Sequence, residues 1–259
     1  MNSVQNADTV RTVPPMNLKE GTRRLALLLR KAANPCLIMA ACIFPVASVP
    51  QSKGIPPSLL ARANAGDADS ELRLGSIYTN GQGVPQDNRR AMYWFRKAAE
   101  NGNVESMMIL SRAYEYGMYG VSQEDSQAAI WYTKAAERGN PIAQTKLGDC
   151  FVSGRGLPQD FAQAAFWFRN SAEQGDPNGQ AALGSLYETG TGVPKNYVEA
   201  YFWMSIAASN PESPTGSGSI SEMRANHRDK IAAHLAGSEL LSVQTRTRSW
   251  FAAHPPKTQ

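Results

Sequence analysis

Two aromatic series run through this chain with one shared period. Trp94, Trp131, Trp167 and Trp203 are separated by 37, 36 and 36 residues, and Tyr78, Tyr114, Phe151 and Tyr187 by 36, 37 and 36. Glycines keep the same step: Gly66, Gly102, Gly139 and Gly175 open each unit, and Gly81, Gly117, Gly154 and Gly190 sit in its middle. The one-residue excess falls in Gly117-Met-Tyr-Gly120, where the other units read Gly-x-Gly, and a loop is where an insertion is absorbed. A fixed period of this length points to stacked copies of one supersecondary unit, each unable to bury its apolar face alone.

Each unit reads as two helices joined by a tight turn. In the first, Ser70, Leu74 and Ile77–Tyr78 recur at helical spacing, with Asp67 ahead of them as an N-cap. Gly81 ends this helix A in the left-handed conformation, Val84 folds back onto it, and Pro85 blocks its continuation. Asp87, Glu124, Asp160 and Asn196 stand at the entry to helix B, which in the first unit carries Ala91, Trp94 and Ala98 on one face. Gly75, Ser111, Gly148 and Gly184 keep helix A slim, as do Ala98–Ala99, Ala135–Ala136, Ser171–Ala172 and Ala207–Ala208 at the end of helix B. Neighbouring helices are therefore expected to approach closely, with the aromatics filling the space between.

The first unit, AGDADSELRLGSIYTNGQGVPQDNRRAMYWFRKAAENG, resembles the Sel-one-like repeat, a relative of the tetratricopeptide repeat with the pattern A-x-x-x-L-G-x-x-Y-x-x-G-x-G-V-x-x-D…A-x-x-W-Y-x-x-A-A. Four units cover 66–101, 102–138, 139–174 and 175–209. Departures are few: Ser111 replaces the helix A glycine of unit two, Gly179 the small alanine of unit four, and Asn196 the acid. The resemblance implies an all-α fold, a right-handed α/α solenoid of four helix pairs with terminal capping helices.

The flanks fit that scheme. Residues 48–65 read as a linker and an N-terminal cap helix, with Ala63 lying 36 residues ahead of Ala99. After the repeats (66–210), residues 211–221 are rich in Pro, Gly and Ser and read as a flexible loop. Residues 222–252 read as a C-terminal capping helix pair, 222–235 and 238–251, with Ser238 as the cap of the second. Residues 253–259 read as a frayed tail.

Residues 1–47 read as a signal peptide or membrane-directing leader. Basic residues at Arg23, Arg24, Arg30 and Lys31 precede an apolar stretch from Ala32 to Val46 and small residues at Ala47 and Ser48, the layout of a secretory signal. Initiation at Met16 would shorten the basic region. Two alternatives stay open. The leader is retained as an anchor, although Pro35 and Pro45 make a poor spanning helix, or Met39-Ala-Ala-Cys42 is a lipoprotein box in which Cys42 carries lipid. The expected location is exported, most simply periplasmic, and membrane contact is expected through this leader alone.

The leader also settles the charge. Its six Lys/Arg and two acids carry the whole formal charge of +4, leaving 20 residues of each sign from Ser48 onward. A charge-balanced body speaks against nucleic acid as a partner. No catalytic constellation emerges. His227 and His234 lie seven apart on one helix without cysteine or clustered carboxylates, which reads as exposed histidines and no metal site. Cys150 occupies the slot of Ile77, Ala113 and Leu186 and reads as a buried apolar residue. The Gly-x-Gly turns follow helices, whose C-terminal dipoles repel phosphate. No cofactor is expected.

What the resemblance implies about function is a non-enzymatic scaffold or adaptor that binds a protein or peptide on its concave face, with a regulatory role in an envelope or signalling process. Helix A lines the concave surface in related repeats. Its non-pattern positions here are Arg73 and Ser76, Ile109 and Arg112, Lys146 and Asp149, and Ala182 and Ser185, each pair three residues apart. Three bases and one acid make a mildly positive strip suited to an acidic segment. A hydrolase or binding protein for cell-wall-derived or β-lactam-like small molecules is the alternative, because a cysteine-rich group in the family has been associated with β-lactams. This chain lacks that group's cysteine pairs.

Overall fold

The computed structural model describes residues 54–209 and 218–254. The leader with Cys42, most of the linker, residues 211–217 of the predicted loop and residues 255–259 of the tail lie outside the described residues. The described residues form eleven α-helices and no strand. They are α1 (Pro57–Asn64), α2 (Ala68–Asn80), α3 (Asn88–Glu100), α4 (Val104–Tyr116), α5 (Asp125–Glu137) and α6 (Pro141–Ser153). The rest are α7 (Phe161–Glu173), α8 (Pro177–Thr189), α9 (Tyr197–Ser209), α10 (Gly218–Ala232) and α11 (Gly237–Ala253). Helices α2, α4, α6 and α8 are the four A helices, and α3, α5, α7 and α9 the four B helices.

Turn chemistry sets the element boundaries. Gly81, Gly117, Gly154 and Gly190 close the A helices with φ of 66, 65, 69 and 77°, the left-handed region where a side chain is disfavoured. Asp87 accepts from the Arg90 N–H, Asp160 from Ala162 and Gln163, and Asn196 from Val198 and Glu199, so three B helices carry the expected caps. Two predicted caps behave differently. Asp67 takes the Ser70 hydroxyl and makes no bond to the backbone, and Glu124 takes the Ser126 hydroxyl, its longer side chain overshooting the helix N–H groups.

Small residues fix the A–B packing distance. A Cβ added at Gly75 would lie 2.4 Å from the Phe95 ring, and one at Gly148 the same distance from Phe168. In unit two, where Ser111 stands in that place, the ring is Tyr132, and the Ser111 hydroxyl is satisfied by the Met107 carbonyl at 2.6 Å. Between units, a Cβ at Gly192 would lie 2.2 Å from the Phe161 carbonyl oxygen, so this loop glycine rests directly on the first residue of α7. Gly179, the departure in unit four, is explained likewise: its place leaves only 2.8 Å to Ser171 Oγ and 2.9 Å to Thr145 Oγ1.

Each A helix packs on its own B helix and each B helix on the next A helix, while α6 also meets α8 directly. Ala63 on α1 is fully buried, closing the N-terminal end as the last turn of a B helix would. Trp94, Trp131 and Trp203 are buried, whereas Trp167 and Tyr187 are half-buried, the Tyr187 hydroxyl turning outward to take a bond from Arg169 Nη2.

The C-terminal pair departs from expectation at its starts. Residues 218–221 belong to α10 and not to a loop, because Ser221 Oγ donates to the Ala208 carbonyl at 2.6 Å and ties this first turn to the end of α9. Helix α11 begins at Gly237, with the Ala236 N–H donating to Glu239 Oε2 at 2.9 Å. Ser238 thus lies inside the helix and is not its cap, and Glu239 reaches back from the first turn to the Ala236 N–H.

Candidate interaction face

The A helices present their non-pattern positions to one side. Arg73 and Arg112 are exposed, and neither forms an ion pair among the described residues. Ser76 and Ser185 are half-buried, with hydroxyls turned back onto the Leu72 and Ala181 carbonyls. Ile109 is half-buried against the core, and Ala182 is half-buried in the corresponding helix of unit four. Lys146 and Asp149 are brought together in one cavity of about 410 Å³, which Ile142, Thr145, Asp176 and Asn178 complete. The other six predicted positions do not line it.

Lys146 is held from below by a residue that periodicity does not single out. Glu115, in the last turn of α4, is 7% exposed, and its Oε2 accepts the Tyr132 hydroxyl at 2.6 Å. Its Oε1 lies 3.5 Å from Lys146 Nζ and 3.9 Å from an Arg155 nitrogen. The two cations are partly exposed and at long range, so each pairing contributes little by itself. Their role is to compensate a carboxylate that would otherwise be buried alone.

The electrostatics follow from this arrangement. Burial disfavours the Lys146 ammonium most, but Glu115, Tyr116 and Asp149 together outweigh it and the pKa ends above the ordinary lysine value. Burial raises the Asp149 carboxyl, and Lys146 and Arg155 pull it back only in part. Burial and the bond to Glu115 hold the Tyr132 phenol protonated well past its usual range. A carboxylate at a helix C-terminus opposes the helix dipole, and that unfavourable placement is the one sequence signal that would have flagged Glu115.

A second polar knot underlies the cavity. Asp176 caps α8 through the Gly179 N–H at 2.9 Å and also accepts from Thr145 at 2.6 Å and Ser171 at 3.1 Å. Beyond it, a wider cavity of about 640 Å³ opens between α8 and α10, lined by Glu188, Glu222, Met223, Asn226, His227 and Lys230. His227, expected to be exposed, is half-buried and shares a 2.6 Å hydrogen bond with Glu188. His234 stacks on Tyr197 and His254 on Trp250. Cys150 is buried, and burial pushes its thiol up to about 11. Among the described residues no group of three or more His, Cys, Asp or Glu could hold a metal ion.

Four consecutive matches to the Sel1 repeat model cover residues 68–103, 104–140, 141–176 and 177–211, more than half of the chain. The chain is a Sel1-repeat protein. Sel1 repeats generally mediate protein–protein interactions, and the family is typically a non-enzymatic scaffold. No curated protein matches the chain significantly. Among solved structures, it is similar to c5321, a protective antigen present in uropathogenic Escherichia coli strains that displays this fold. The two are 41% identical, with a TM-score of 0.54, over 59% of this chain and 33% of that one. It is also similar to a Sel1 repeat protein from Oxalobacter formigenes, at 32% identity and a TM-score of 0.55, over 65% of this chain and 47% of that one. This Sel1-repeat protein thus spans less than half the length of either.

Proposed function

We propose that this Sel1-repeat protein is a scaffold that holds an acidic segment of a partner protein along the face made by α2, α4, α6 and α8. The observation that carries this reading is the contrast between Lys146, already engaged by Glu115, and Arg73 and Arg112, exposed and without carboxylate partners among the described residues. Arg73 and Arg112 supply the free charge, and Lys146 and Asp149 give the middle of the strip a fixed polarity. Ser76 and Ser185, whose hydroxyls already donate to the Leu72 and Ala181 carbonyls, add only small side chains to the strip, while Ile109 and Ala182 offer apolar contact. The scaffold acts without chemistry of its own. It works outside the cytoplasm, a location supported by the layout of residues 1–47 and by the 41%-identical relative being a protective antigen.

The test is the Arg73→Glu, Arg112→Glu double variant of the full chain, used as bait in a pull-down from its native compartment. Loss of the proteins recovered by the unaltered chain, with helical circular dichroism retained, supports the reading. Recovery of the same proteins overturns it.

A further inference from the structure

The outer sides of the B helices carry a second, different pattern. One structural position recurs as Tyr93, Ile130, Phe166 and Phe202, spaced by 37, 36 and 36 residues. In the first three units this side chain is large, apolar and exposed, at 54%, 45% and 53%. In the fourth it is 3% exposed. The difference is α11, which lies against α9: the Arg246 guanidinium sits 3.8 Å from the centre of the Phe202 ring and pairs with Glu199, while Val243 on the same helix is buried.

Seven residues after each uncovered apolar side chain comes a glutamate: Glu100, Glu137 and Glu173. Two helical turns separate the members of each pair, about 10 Å along one face. All three carboxylates are exposed, and none forms an ion pair among the described residues. Unit four, whose row position is already covered, has Ser209 there instead. The molecule thus shows how one position of this row is occupied, by an amphipathic helix that lays an arginine over an aromatic ring. It leaves the other three positions exposed beside carboxylates, with Lys97 Nζ 5.7 Å from the centre of the Tyr93 ring.

We propose that the row Tyr93, Ile130 and Phe166 docks a basic amphipathic helix of a partner protein, in the manner in which α11 covers Phe202. The apolar row receives the partner's apolar stripe, and Glu100, Glu137 and Glu173 receive its lysine or arginine residues. This surface is separate from the A-helix face, so either can fail without the other.

The probe is a fluorescein-labelled 17-residue peptide with the sequence of Gly237–Ala253, titrated into the full chain and followed by anisotropy. Saturable binding is expected, weakened about tenfold or more in the Tyr93→Ser, Ile130→Ser, Phe166→Ser triple variant. It should weaken about threefold to tenfold when Glu100, Glu137 and Glu173 become Gln, or when the peptide carries Glu at both arginine positions. The replaced side chains are exposed, so the variants are expected to keep their helical signal, and a thermal melt confirms it. Absence of saturable binding up to about 1 mM peptide, or equal binding by the triple variant, overturns the proposal. So does a concentration-dependent dimer that the triple variant abolishes, since that assigns the row to a second copy of the chain.

Discussion

The Tyr132 hydroxyl and Glu115 Oε2 lie 2.6 Å apart in the buried layer beneath Lys146, joining the B helix of unit two to the A helix before it. Tyr132→Phe removes the donor and leaves a buried carboxylate oxygen unpaired. The expected cost is about 1–3 kcal/mol, read as a lower urea midpoint with an unchanged slope. A change below about 0.3 kcal/mol would show that Lys146 and Arg155 satisfy Glu115 without the phenol.

Cys150 makes the fold sensitive to alkali. Its thiol is pushed from 9.0 up to about 11 in the folded chain, so the folded state binds the proton more tightly than the unfolded state. Stability from this group is full below pH 9 and falls as pH rises through 9 to 11, by about 2–3 kcal/mol in all. Lys146, also raised, adds loss in the same direction above its ordinary value. Cys150→Ala, which copies Ala113 of unit two, should flatten the pH dependence of the urea midpoint across that window. An unchanged slope in the variant would rule the thiol out as its source.

Gly148 and Phe168 should be strongly coupled. Gly148→Ala places a methyl group 2.4 Å from the ring and should cost about 1–3 kcal/mol through overpacking. Phe168→Leu gives up buried area, yet combined with Gly148→Ala it relieves the clash. The double variant should therefore be more stable than the sum of the two single losses implies, by about 0.5–3 kcal/mol. Simple additivity in a thermal or urea series would mean that the backbone moves apart and the ring does not set the spacing.

Much of the fold was legible in the sequence because its constraints repeat. A left-handed turn glycine and a slim helix A each recur four times in register, and a helix B cap three times, so Gly81, Asp87 and Gly75 could be read from spacing. What repeats least was hidden. Glu115 meets Tyr132 and Lys146 across 17 and 31 residues, and His227 meets Glu188 across 39, distances at which periodicity says nothing of individual partners. The early start of α10 depended on a hydroxyl reaching back to Ala208, and the burial of Phe202 on where α11 lies. The period put the eight face residues on the A helices, but it could not say that only Lys146 and Asp149 share a cavity.

The proposed function places partners on the A-helix face. A photo-crosslinking amino acid placed at position 112 or 185 of the full chain, and at Ser122 in an exposed loop as the control, tests it most directly in the native compartment. Positions 112 and 185 are expected to capture the same partner and Ser122 is not, with Arg73→Glu reducing the yield at position 112 at least about threefold. Capture from Ser122 with none from either A-helix position would contradict it.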